Sequence, residues 1–171
     1  MPLPGGGHPH ALVTAAPIHP ASGWRYVGPP VLYWGMDASE ITRLQPEGLV
    51  VSPAFSHVAI VPPGATTIYI GGQNGVDATG AVVSADVAEQ AVRTIDNVAV
   101  ALEAAGASLA DVIQWTVLLA QDVDINAAYG AIAPRLATGG APPLVTAALV
   151  AGLGTPGALI EVSAIAAVIN A

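Results

Sequence analysis

The sequence predicts a single α+β domain in which two helices pack on one face of a mixed β-sheet. Three observations predict it. The chain has 171 residues, 53% of them hydrophobic, which suits one well-buried core better than two. Two segments carry apolar residues at three- and four-residue steps, the signature of amphipathic helices. Six short runs rich in β-branched, aliphatic and aromatic residues, broken by Gly and Pro, flank those segments in the order βββαβαββ.

The first strand is expected over residues 40–44, followed by strands over 54–61 and 66–71 joined as a hairpin across Pro62-Pro63-Gly64-Ala65. The third run, Ile68-Tyr69-Ile70, goes straight into Gly71-Gly72-Gln73-Asn74-Gly75-Val76-Asp77. Strand chemistry is expected to end there in a Gly-rich turn, whose adjacent glycines permit positive φ or close approach to a ligand. Asp77-Ala78-Thr79-Gly80 forms another turn, and Asp86-x-x-Glu89 has the form of a helix-start capping pair. A long helix follows to about Ala105, with Val87, Ala91, Ile95, Val98 and Leu102 on its inner face and Gly106 as its stop. Residues 112–120 read as a strand. Asp122 or Asp124 then caps a second helix to about Leu136, interrupted by Pro134. Strands over 144–150 and 159–168 complete the domain.

Charge narrows the function. The formal net charge is −8 and the basic residues are Arg25, Arg43, Arg93 and Arg135, too few and too scattered for a nucleic-acid surface. With no lysine, side-chain Schiff-base catalysis is excluded, and with no cysteine so are thiolate nucleophiles, thiolate metal sites and disulfides. Apolar runs such as 144–153 fall far short of a membrane-spanning helix. Only 9% of residues are charged and the mean hydropathy is +0.62, so part of the apolar surface is expected to lie in a permanent homo-oligomeric interface.

Composition changes near Met36. Residues 1–35 hold no acidic residue, three of the four histidines and a dense scatter of Pro and Gly, the chemistry of an N-terminal extension. The alternative, that Trp24, Tyr26, Tyr33 and Trp34 pin this stretch to the domain, stays open. Its start lacks the cationic region of a secretory signal, and a cytoplasmic location is expected. His8, His10 and His19 are proline-spaced and lack carboxylate or thiolate partners, so no metal site is expected. No cofactor is expected either.

Several motifs in order resemble the RidA/YjgF/UK114 family over about residues 40–168. They are Phe55-Ser56-His57, the strand Thr67-Ile68-Tyr69-Ile70 into Gly72-Gln73-x-Gly75-x-Asp77, and Asp86-Val87-Ala88-Glu89-Gln90 with Asn97. Leu102-Glu103-Ala104-Ala105-Gly106 and the closing Ala158-Leu159-Ile160-Glu161-Val162 follow. The resemblance implies a chorismate-mutase-like fold, a homotrimer, and small-molecule clefts at the subunit interfaces. Its best-known members hydrolyse imines and enamines such as 2-aminoacrylate to a 2-oxo acid and ammonia. Glu161 matches the family's cleft glutamate and is the expected catalytic group. Phe55, Ser56, His57, Gly71, Gly72, Gln73 and Val145 are the expected substrate-binding positions.

Two departures from the family pattern bear on chemistry. Within Pro142-Pro143-Leu144-Val145-Thr146, Val145 stands where the family places the arginine that holds the substrate carboxylate. Gly71 stands where many members have a serine hydroxyl, and Phe55 where a tyrosine is frequent. Of the cations that could replace the arginine, Arg135 and Arg93 sit on expected helix faces, where such residues are usually solvated, and His57, beside the cleft motif, is better placed than either. Two classes of function follow: hydrolysis of an imine, enamine or related compound other than an ordinary 2-imino acid, or a catalytically silent protein that binds or regulates. Ribonuclease activity, a label often attached to this family, is the weaker expectation for so acidic a chain.

Overall fold

The computed structural model describes residues 40–137 and 139–169; the extension expected over residues 1–35, with its histidines, lies outside them. The elements are β1 (Thr42–Leu44), β2 (Val58–Ile60), β3 (Thr66–Asn74), α1 (Val87–Ala104), β4 (Val112–Ala120), α2 (Ile125–Leu136), β5 (Leu144–Val150) and β6 (Ile160–Val168). A single 3-10 turn, Leu109–Asp111, precedes β4.

The strands form two sheets. A four-stranded sheet has the order β3-β6-β4-β5, antiparallel except for the parallel pair β4–β5, and β1–β2 is a separate antiparallel ribbon. The α+β class with a mixed sheet is therefore observed. The expected hairpin between the second and third strands is not. Its turn exists, with Ala65 N donating to Pro62 O at 3.3 Å, but β2 pairs with β1 and β3 pairs with β6. Pro62 and Pro63 cannot donate to a ladder, and a nine-residue β3 finds a nine-residue partner in β6 rather than in three-residue β2.

Side-chain alternation fixes the core. The row Ile70–Ala164–Trp115–Val145 crosses the whole sheet on the helix-bearing face, and its first three members are buried with Ile160, Val162 and Leu119. α1 lies over β3 and β6, and α2 packs on α1. All five expected inner residues of α1 are buried. Asp86 caps α1 by accepting from Ala88 N and Glu89 N at 2.8 and 3.0 Å. Asp124, rather than Asp122, caps α2. Gln90 of α1 is fully buried and satisfied: it donates to Ser84 O and Gly157 O and accepts from Leu159 N. It ties the β5–β6 connection to the helix.

Candidate functional site

The Gly-rich segment does not end its strand. Ile70 pairs with Ala164 and Gln73 with Val162, so Gly71 and Gly72 together oppose the single residue Ser163 in a β-bulge, and β3 continues to Asn74. Neither glycine has positive φ. The turn comes later, where Gly80 N donates to Asp77 O at 3.0 Å and Asp77 N to Ala81 O at 2.9 Å. Gly72 is small for a different reason: a Cβ there would lie 2.5 Å from Glu161 Oε1 and 2.8 Å from Glu161 Cδ. The carboxylate of Glu161 lies against the Gly72 backbone.

Asn74 completes this arrangement. Its Nδ2 donates to Ile160 O at 3.0 Å and lies 3.4 Å from Glu161 Oε2, while Thr155 Oγ1 donates to its Oδ1 at 3.0 Å. Asn97 of α1 donates to Asn74 O and Val76 O, both at 2.9 Å, and holds the end of β3. Gln73 Nε2 donates back to Gly71 O at 3.2 Å. A half-buried carboxylate beside an amide donor on a braced strand can accept a proton from water and orient it. Asn74 stood within the opening motif, but only the pairing Asn74–Glu161 shows that it meets the carboxylate.

The other expected site residues gather elsewhere. Ser56 N donates to Pro143 O at 3.0 Å, which seats the 53–57 loop at the start of β5, two residues before Val145. Phe55 and His57 meet edge to face at 5.4 Å. His57 Nε2 is 2.7 Å from Val50 O, and Ser56 Oγ is buried without a hydrogen-bond partner among the described residues. Val145 lines a cavity of about 510 Å³ bounded by α2, β4, β5 and the loop residues Pro53 and Ala54.

Glu161 and Val145 occupy opposite faces of the sheet. Glu161 belongs to the row Asn74–Glu161–Leu118–Ala148, Val145 to the core row. None of the described arginines lines the cavity. Arg135 pairs with Asp96, Arg93 Nε donates to Val76 O at 2.9 Å, and Arg43 Nη2 donates to Val112 O at 3.0 Å, its burial lowering its pKa. Among the described residues no group of three or more His, Cys, Asp or Glu is placed to hold a metal. No described helix is long and apolar enough to cross a membrane.

Two helices packed on a mixed sheet place the chain among small α+β proteins. The Endoribonuclease L-PSP family model matches residues 49–168, and the chain belongs to this family, known also as RidA/YjgF. It is similar to 2-iminobutanoate/2-iminopropanoate deaminase of Homo sapiens, with 46% identity over 61 residues, 35% of this chain and 44% of the human protein. The chain thus spans under half the length of that relative. A conserved Rid family protein of unknown function from Yersinia pestis matches in structure with a TM-score of 0.65 and 28% identity, over 75% of this chain and 98% of that one. The YjgF gene product of E. coli matches with a TM-score of 0.53 and 32% identity, over 58% and 79% of the two chains.

Proposed function

We propose that the protein is a homotrimer that hydrolyses a small imine or enamine lacking the carboxylate of an ordinary 2-imino acid, in clefts between subunits. The observation that carries this reading is the pairing of the Glu161–Asn74–Gly72 arrangement with an arginine-free wall at Val145. Matched relatives are named 2-iminobutanoate/2-iminopropanoate deaminases, and Glu161 supplies a carboxylate that such a hydrolysis can use. In the reaction, water oxygen bonds to the imine carbon as Glu161 takes the water proton. As the C=N π bond opens, that proton passes to nitrogen and gives a carbinolamine; its hydroxyl proton then also moves to nitrogen, C=O forms as the C–N bond breaks, and ammonia leaves behind a carbonyl compound. A hydrogen bond to a charged group contributes roughly 1.5–3 kcal/mol, so without the bidentate arginine a 2-imino acid loses two orders of magnitude or more in handling.

Because Glu161 and Val145 lie on opposite sheet faces, a cleft containing both takes one from each of two subunits. The test compares ammonia release from two imines formed in situ. One is 2-aminoacrylate from an amino-acid dehydratase, the other an uncharged imine from benzylamine and a flavin amine oxidase. The protein is expected to accelerate the second, lose that effect in Glu161→Gln, and do little to the first. Turnover of 2-aminoacrylate near that of an arginine-bearing relative overturns the reading. No acceleration of either supports the second reading, a silent binding protein, which the changes at Val145 and Gly71 also favour. The acidic charge of −8 argues against ribonuclease activity despite the family's name.

A further inference from the structure

The cavity beneath α2 is an apolar recess that the chain's described side chains leave unfilled. α2 packs on α1 rather than on the strands, and it lines the cavity with Ile125, Tyr129, Ile132 and Leu136 as well as Ala128 and Ala133, across from β5. About 510 Å³ stays open, within the roughly 300–1,000 Å³ typical of small-molecule sites. The cavity reaches the floor of the core, touching Ile95, Ile160 and Val162, each at most 1% exposed. It is a deep recess rather than a flat face. No Asp, Glu, Arg or His contributes to its wall, and Trp115 and Tyr129 supply its aromatic surface.

We propose that this cavity binds the uncharged, largely hydrocarbon body of a small molecule of one to three rings. The binding claim stands on the cavity alone; its role as the specificity pocket rests on the imine-hydrolase reading above. An anionic group entering the recess leaves water without finding a cation or a charged hydrogen-bond donor. An aromatic or branched-aliphatic group loses nothing of that kind and gains contact with Trp115, Ile132 and Val145. With valine at position 145, the cavity suits a ligand held by its apolar surface rather than by its charge.

The test uses the full-length assembled protein and two fluorescent probes with the same skeleton. N-phenyl-1-naphthylamine is uncharged, and 8-anilinonaphthalene-1-sulfonate adds an anion. The uncharged probe is expected to bind saturably at one site per chain, and the sulfonate at least about tenfold more weakly. Ala133→Phe and Ala147→Phe, on opposite walls, should each weaken the uncharged probe about tenfold or more. Val145→Arg should reverse the preference between the probes. Val100→Phe, on the exposed side of α1, should change neither and controls for surface adsorption.

If one filling variant fails to fold, the other decides. Equal binding of both probes overturns the proposal, and so does indifference to the filling variants. A cavity occupied in the assembled protein by another part of the polypeptide gives no saturable signal with the uncharged probe, and that also overturns it. Probe binding without imine turnover leaves this proposal standing and removes the hydrolase reading; turnover without probe binding does the reverse.

Discussion

Gly72 and Gly75 lie three residues apart in one motif, yet a methyl group at each meets a different kind of obstacle. At Gly72 it meets the outer half of the Glu161 side chain, which can rotate away; at Gly75 it comes within 2.7 Å of Gln90 Cα and 2.8 Å of Gln90 O, which belong to the α1 backbone. Gly72→Ala is expected to cost less than about 1 kcal/mol in stability while displacing the carboxylate. Gly75→Ala should cost about 2 kcal/mol or more, because overpacking against a helix backbone has no cheap relief. Thermal melts together with the uncharged-imine assay separate them. Gly72→Ala should lose turnover with little change in Tm, and Gly75→Ala should lower Tm by several degrees. Equal Tm losses would show that the Gly72 contact is structural. The sequence pointed to this motif and to Glu161, but it offered no means of distinguishing a turn glycine from a bulge glycine. That distinction rests on which residue of β6 each one opposes.

Among the elements, the turn after β3 has a measurable electrostatic signature. Asp77 Oδ1 accepts from Thr79 Oγ1 at 2.6 Å, Thr79 N at 2.8 Å and Ala81 N at 3.1 Å. The Thr79 hydroxyl and these backbone amides hold its carboxyl below its ordinary pKa of 3.8, with a smaller contribution from Arg93. A carboxylate whose pKa is depressed by folding stabilises the native state above its unfolded pKa, and that contribution is lost as pH falls through the folded pKa. Asp77→Asn should therefore melt below the parent at neutral pH, with the gap closing as pH drops below about 3.8. A gap unchanged at pH 2 to 3 would show that the turn depends on side-chain shape alone. Local patterns of this kind were legible: the five-residue stripe of α1, the Asp86 cap and the limits of β4 and β5 all follow from short-range spacing. Pairing was not. The partner of β3 lies some ninety residues away in β6, and nothing in 66–71 or 54–61 distinguishes that partner from the nearer one. The cavity was hidden for the same reason, since it depends on how far α2 stands from β5.

At the scale of the molecule, the described residues give the sheet one face with helices and one without. The open face carries Tyr69, 76% exposed, in the row Tyr69–Ile165–Gln114, with Leu118 and Ala148 in the row of Glu161. A sheet face bearing such side chains is ordinarily covered by another layer, and among the described residues no helix covers this one. The chain's low charge and its mean hydropathy of +0.62 point the same way. Threefold assembly through this face would bury those rows, which no single chain can do for itself. Light scattering should give three times the chain mass of 17.0 kDa. Ile165→Lys, placing a charge at the centre of the open face, should shift that mass toward one chain and abolish imine turnover. In the same variant, binding of N-phenyl-1-naphthylamine should persist, because the cavity is built from one chain's α2, β4 and β5. A monomeric mass for the unsubstituted protein would defeat the shared-cleft geometry, and loss of probe binding on dissociation would show that the cavity too needs a neighbour.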